Sequence, residues 1–526
     1  MSTPKSILCI DADVLLLIIE LVHAAGYLKI LSTTCRQIRE LSMSVLFARL
    51  HLWPGDFSPR SFIPDNVRPH VRTIEFADLN GYVPAEHSAY YRTMDHLRVR
   101  DTSETKFLLD AFRGMTRLRN LVIYNTLGNG LPFYILDAIF SAPQLCSVEC
   151  GPSMCLPTEK DPSFPRRPRL TGPVPPITTF RRVLSTHQRS LREPAEATFL
   201  ACLFNHIHTT LQVAEMPSDT APLGALRSHD WPRLRELILR GGPRRSSCAH
   251  VIENLTRMPN LRVLKLELAQ RSRAGLQRIC PPGWTGGCPW PKLEVLTISN
   301  PHPDDDLYDH LPDSLEELTI RCFPRYYLAT APDEEGAFIA HFGWESSLPT
   351  SADMLHILRR CGPSLRHLRH LDIEFEESGE DVQLLRHISS TFPMLAFLQF
   401  LRYHQNPQHR TPTSWVDFGE ALSLLSHLRL LRVHLDLERM GSKESTSEVI
   451  SALASPLSET VRFVCLLVRS WDSHDWHAWR VVRDPSTGKL IAVEDLARHY
   501  AQIDGYPTFD EMVPRIPRRW QSRHGV

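Results

Sequence analysis

Residues 9–22, CIDADVLLLIIELV, crowd apolar side chains into a run broken only by Glu20. Asp11 and Asp13 stand just before the run, where a helix's first turn has unpaired amides and the positive end of its macrodipole. The segment therefore predicts a helix running to about Val22 and breaking near Gly26. Two further stretches, YLKILSTTC and RQIRELSMSVLFARLHL, follow with helical spacing, and Ile38, Leu41, Val45 and Leu46 share one face of the last. The first helix is apolar nearly all round. Such a helix is normally buried on every side, and a unit of three short helices has too little surface to hide it. Its second face needs a cover from elsewhere.

The rhythm changes after a proline-punctuated linker, residues 53–70. From there the form L-x-x-L-x-L recurs: VRTIEF (71), MDHLRV (94), LRNLVI (118), LCSVEC (145), LRELIL (234) and LRVLKL (261). It continues with LEVLTI (293), LEELTI (315), LRHLDI (368), LAFLQF (395), LRLLRV (428) and VRFVCL (461). Most copies start 22 to 33 residues apart, with wider gaps from 145 to 234 and from 315 to 368. Weaker copies at FRRVLS (180) and HTTLQV (208) divide the first gap; the second is two periods, or one with an insertion. Positions 1, 4 and 6 of each copy put apolar side chains on the inward face of a short strand, and the residues between project outward. Helical segments such as TKFLLDAFRGM, DMLHILRRCG and VQLLRHISSTF lie between the strands. One such unit fixes about 25 residues at roughly 1–2 kcal/mol of backbone entropy each, against five or six buried side chains at roughly 1.5–3 kcal/mol each. Alone it does not fold; stacked, the units share one core.

Two resemblances follow. The order Ile10, Asp11, Asp13, Val14, Ile18, then Leu28, Leu31, Cys35, Ile38, Leu41, Leu46 and Leu50 resembles an F-box over residues 8–52. It departs from that family in opening on Ile10-Asp11 rather than Leu-Pro, in Asp13 standing for the usual Glu, and in lacking the Trp often found in the last helix. The resemblance implies docking on the Skp-type adaptor of a cullin-RING (SCF-type) ubiquitin ligase, with Val14, Leu15, Ile18, Leu28 and Leu31 as contact residues. Spacing does not divide partner-facing from core-facing positions among them. The other reading of the segment is an N-terminal capping helix of a larger domain. Residues 71–470 resemble leucine-rich repeats of the ribonuclease-inhibitor type, which implies an α/β horseshoe solenoid with parallel strands on the concave face and helices outside. Here the Asn or Cys expected after the third apolar position is mostly missing, although Asn125, Asn300 and Cys322 fall one place early. The whole arrangement resembles fungal families that join an F-box to degenerate repeats.

That combination implies a substrate-recognition adaptor rather than an enzyme, holding an unknown protein target for ubiquitin transfer carried out by other subunits. The competing reading is a repeat scaffold without a ligase. A remoter one is a receptor for a small ligand, whose mark would be a deep cluster of basic residues on the concave face.

Composition narrows the partners. Lys plus Arg and Asp plus Glu both total 59 in 526 residues, so no global field favours nucleic acid or an anionic membrane, and neither is expected as a partner. No segment reaches the roughly 20 apolar residues of a bilayer span, and the flanking acids of the N-terminal run do not fit a secretory signal. A cytoplasmic or nuclear chain with its 12 cysteines mostly reduced is expected.

Insertions near 151–178, 280–291 and 323–353 read as loops from the solenoid rim. Their aromatics Trp284, Trp290, Tyr326 and Tyr327 are of the type enriched in binding hot spots, or else fold the loops back over the repeats. No cofactor, metal or catalytic site is expected. Cys146, Cys150 and Cys155, and Cys280 with Cys288, lack paired zinc-ligand spacing. WDSHDWHAW (471–479) has no third element and reads as a surface loop, PDDD (303–306) as a solvated repeat loop, and DPSTGK (484–489) as a hairpin turn. Residues 471–510 thus predict a terminal hairpin and a capping helix at EDLARHYAQ, ahead of a basic tail at 511–526.

Overall fold

A computed structural model describes residues 11–52, 62–77, 102–124, 130–151, 154–155, 164–182, 194–242, 250–271, 275–329, 343–404, 414–435, 446–469 and 474–496. The chain falls into two compact units, Met1–Val183 with Gln188–Ala214, and Glu215–Val526 with Leu184–His187.

The first unit opens with α1 (Ala12–Ala24), α2 (Leu28–Leu31) and α3 (Arg36–Leu46). Asp11 caps α1, its carboxylate accepting the Asp13 amide at 2.9 Å, and the chain turns out of the helix at Gly26, whose φ of 82° suits glycine. Five strands follow: β1 (Arg49–Leu52), β2 (Thr73–Ala77), β3 (Asn120–Tyr124), β4 (Ser147–Cys150) and β5 (Thr179–Arg182). They pair in parallel, with Arg49 opposite Thr73, Thr73 opposite Asn120, Asn120 opposite Ser147 and Ser147 opposite Thr179. β6 (Val213–Pro217) begins with the Gln212 and Val213 amides both donating to the Thr178 carbonyl. The helices Thr102–Arg113, Phe133–Ile139 and Pro194–Ile207 alternate with the strands, and Phe180 of β5 meets Phe204 of the last edge-on at 5.4 Å.

In the second unit β7 (Glu236–Gly241), β8 (Val263–Leu268), β10 (Val295–Ser299), β11 (Glu317–Arg321), β13 (His370–Glu376), β14 (Phe397–Tyr403), β15 (Leu430–His434) and β16 (Phe463–Arg469) form a parallel sheet in that order. The short β9 (Gln270–Arg271) and β12 (Trp344–Glu345) pair with each other, antiparallel. β17 (His474–Arg483) and β18 (Leu490–Asp495) add two antiparallel strands after β16. Residues 484–489 make the turn between them, where the Asp484 carboxylate accepts the Ser486 and Thr487 amides and Gly488 has φ 68°.

Positions 1, 4 and 6 of the repeats form the core: Leu261, Leu264 and Leu266, Leu368, Leu371 and Ile373, and Leu395, Leu398 and Phe400 are all buried. They face the helices, since Phe400 of β14 meets Phe418 of the helix Trp415–Leu422 at 6.3 Å. Helices Ser351–Cys361, Asp381–Thr391, Trp415–Leu422 and Thr446–Ala454 pack side by side over this layer.

Some expectations change. The weak copies sit three residues from where they were read: Ile177, Phe180 and Arg182 occupy the inward positions of β5, and Leu211, Ala214 and Met216 those of β6. Arg182 escapes an apolar pattern because Glu196 pairs with it at 3.0 Å in the buried layer. β11 pairs directly with β13, Glu317 opposite His370, so the gap from 315 to 368 is one repeat with an insertion. WDSHDWHAW is a strand from His474 onward rather than a surface loop, because Trp476, Ala478 and Trp479 are buried against β16 and its neighbours. Glu494 and Asp495 end β18 and the Leu496 amide after it donates to the Ala478 carbonyl, so the predicted capping helix does not begin there; its residues 497–502, the basic tail and the copy at 94 lie outside the described residues. No described helix is long and apolar enough to cross a membrane.

Candidate functional site

Two surfaces stand out, one in each unit. On α1, Leu15 and Ile19 point into a small core with Leu28, flanked by Val22, Leu31, Val45 and Leu46. This stripe recurs every three to four residues, so the bundle consumes one face of the helix. Val14, Leu16, Leu17 and Leu21 lie on the rest of it, and Leu17 and Leu21 are 59% and 70% exposed. Tyr27 and Ile30, around α2, extend the uncovered apolar surface. Of the five residues named from the sequence, Val14 is exposed, Ile18 and Leu31 are half-buried, and Leu15 and Leu28 belong to the core. Each exposed Leu or Ile offers roughly 1.5–3 kcal/mol to a partner that buries it fully.

The second surface lies on the sheet face that the helices leave open. Strand register aligns position 5 of successive repeats, so Lys265, Thr297, Thr319, Asp372, Gln399 and Arg432 form a single rung across six strands. Over this rung opens a pocket of about 120 Å³, with Glu317, His370 and Phe397 on one side and Arg321, Arg325 and Trp476 on the other.

Its charges are held by specific partners. Arg325 grips Asp372 with both terminal nitrogens, at 3.3 and 2.5 Å, and the Gln399 amide donates to the same carboxylate at 3.1 Å. Burial alone would raise the Asp372 pKa, but the charge and hydrogen bonds of Arg325 outweigh it and hold the carboxyl below its usual range. Glu267 pairs with both Arg240 and Arg321. Burial raises Glu374, which accepts the Tyr403 hydroxyl and the Tyr326 amide, each at 3.0 Å. The Arg432 guanidinium lies 5.6 Å over the Phe397 ring and 5.5 Å over that of Trp476.

The pocket is assembled from strands more than a hundred residues apart, and its Arg321 and Arg325 are paired with Glu267, Asp372 and Glu374. Its signal in the sequence is the column of fifth positions, which alternation marks as outward-facing but cannot assign to a pocket. The loop aromatics divide. Trp290 is fully buried and donates to the Leu255 carbonyl at 2.9 Å, and Tyr327 is buried at the pocket edge, so both fold their loops back over the repeats. Trp284 and Tyr326 are half-buried. Among the described residues no group of three or more His, Cys, Asp or Glu could hold a metal ion.

No protein-family model matches the chain, and no curated protein matches it in sequence. Among solved structures it is similar to the leucine-rich repeat-containing protein LegL7 from Legionella pneumophila, at 13% identity over 80% of this chain and 90% of that one, with a TM-score of 0.27. It is also similar to the Rad7 and Elc1 complex of yeast, at 13% identity over 76% of this chain and 91% of that one, with a TM-score of 0.31. The circular leucine-rich-repeat protein CroV588 aligns at 13% identity over 67% of this chain and 37% of its own, with a TM-score of 0.27. Superpositions this loose carry no argument about partners. The repeat architecture rests instead on the parallel register and on the buried first, fourth and sixth positions. Among the described residues, the open sheet face and the apolar face of α1 are two surfaces that a partner could cover.

Proposed function

We propose that the chain is a substrate-recognition adaptor of a cullin-RING ubiquitin ligase, with α1 and α2 docking on a Skp-type adaptor subunit and the repeats holding a protein target. One observation carries the reading: half of an apolar helix, Val14, Leu17 and Leu21, stays uncovered after its own bundle has packed, in a segment whose order resembles an F-box. The role is one of proximity, raising the effective concentration of target lysines at a reactive thioester held by other subunits. A repeat scaffold without a ligase is the alternative.

The test is co-purification of the full chain with a Skp-type adaptor. Leu17→Asp and Leu21→Asp remove exposed contacts and should abolish capture while far-UV circular dichroism and melting stay as in the wild type. Leu15→Asp should instead unfold the bundle, because it puts a charge into the core. An unaltered chain that captures no adaptor rejects the ligase and leaves the scaffold.

A further inference from the structure

Residues 164–178 of the first rim insertion run without helix or strand over the first unit, and one threonine ties their middle down. Thr171 is exposed, yet its amide donates to one oxygen of Asp137 at 2.7 Å and its hydroxyl to the other at 2.5 Å. Asp137 belongs to the helix Phe133–Ile139 and is only 5% exposed, so these two bonds join a surface loop to a buried carboxylate. Two further contacts hold the same stretch. Phe164 meets Phe133 edge-on at 5.4 Å, and the Leu170 backbone hydrogen-bonds the half-buried thiol of Cys202. Three arginines lead up to the threonine: Arg166, Arg167 and Arg169 stand five, four and two residues before it, all exposed and outside any helix or strand. A hydroxyl presented behind exposed cations on irregular chain suits the acidic substrate groove of an arginine-directed protein kinase, by charge complementarity.

We propose that Thr171 is a phosphoryl-acceptor site for an arginine-directed serine/threonine kinase, and that its phosphorylation unlatches residues 164–178 from Asp137. The transfer forms a bond from Thr171 Oγ1 to the γ-phosphorus of ATP and breaks that phosphorus from its bridging oxygen, which leaves with ADP; the hydroxyl proton passes to the kinase's catalytic carboxylate. The product no longer donates to Asp137, and it sets a charge of about −1.5 to −2 against a buried carboxylate. Charges meeting in a buried layer repel far more strongly than exposed ones attract. Arg113 comes near the loop, with one nitrogen 3.6 Å from where a Cβ on Gly172 would stand, but it is half exposed and 3.8 Å from Asp110, so the attraction it offers is screened. Release therefore wins over re-pairing. The proposal does not depend on what α1 docks against.

The test treats the full-length chain, and a synthetic peptide of residues 164–177 in which Thr171 is the single hydroxyl, with Mg·ATP and the catalytic subunit of cyclic-AMP-dependent kinase or the catalytic fragment of protein kinase C. Mass spectrometry maps the phosphate, which should occupy Thr171 in both substrates. Arg167→Gln with Arg169→Gln should slow its addition about tenfold; both side chains are exposed, so the fold is kept. In the phosphorylated chain the amides from Arg169 to Val174 should exchange with deuterium about tenfold faster than in untreated chain, since a charge-assisted anchor is lost. Cys202 should alkylate faster as Leu170 lifts, while β3 and β4 exchange as before. Phosphate on the peptide but not on the folded chain would make Thr171 a fixed anchor and overturn the proposal. Failure of both substrates with both kinases, rates indifferent to the arginines, or a phosphorylated chain whose loop exchanges as before would overturn it too.

Discussion

His370 stands in the pocket wall, stacked on Phe397, and burial pushes its pKa from 6.5 down to about 4, with Asp372 only partly opposing the shift. The folded protein thus holds the ring neutral where the unfolded chain takes up a proton. Below about pH 6.5 the unfolded state binds more protons and stability falls; below about pH 4 the folded ring protonates as well and this contribution levels off. His370→Gln removes it. Urea midpoints at pH 7, 5.5 and 4.5 should show the variant gaining on the wild type as pH falls, and a gap that stays constant with pH would mean the ring is not held neutral. Single residues were the least legible part of the sequence. In PDDD, read as a solvated loop, Asp305 is buried and accepts the amides of Ile279, Cys280 and Leu307, while Asp306 accepts those of Gly283 and Trp284. Nothing local distinguishes an acid facing water from one that ties down a loop more than twenty residues away. Asn300 shows the reverse: noted one place early, it bonds the Leu268 carbonyl at 2.8 Å from a left-handed backbone with φ 49°.

Helices and strands were legible where their periodicity was strong, because burial of one face imposes it. The L-x-x-L-x-L copies locate most of the parallel strands in both units. The weak copies slipped by three residues since Thr, Arg and Ala dilute the pattern around β5 and β6. What periodicity does not reveal is how closely neighbouring helices approach. Gly419 lies mid-helix, and a Cβ there would run into the Leu453 carbonyl and the ring of Pro456, both from the next repeat. Gly224, in the helix Leu223–Ser228, has open space around it. Gly→Ala in a helix ordinarily stabilises by about 0.4–1 kcal/mol through the unfolded state, so Gly224→Ala should do so. At Gly419 overpacking dominates, and Gly419→Ala should destabilise by about 1–3 kcal/mol. Guanidinium titration of the two variants reads the opposite signs directly. Equal stabilisation would mean that the helices Trp415–Leu422 and Thr446–Ala454 are not in close contact.

The two surfaces draw on different units of the chain, and each is shaped by its own packing: α1 by the Leu15, Ile19 and Leu28 cluster, the pocket by strand register from β8 to β17. For an adaptor acting by proximity this separation is sufficient, since effective concentration requires that both partners be held at once and does not require either to sense the other. Thermodynamic coupling would need a bistable part that both sites bias. With the full chain, Arg432→Gln, a change in the pocket wall, should therefore capture adaptor within about twofold of the wild type. Titration of the adaptor against the wild type and the variant side by side measures whether the pocket influences α1. A difference above about tenfold would require the conformation around α1 to depend on the packing around Arg432.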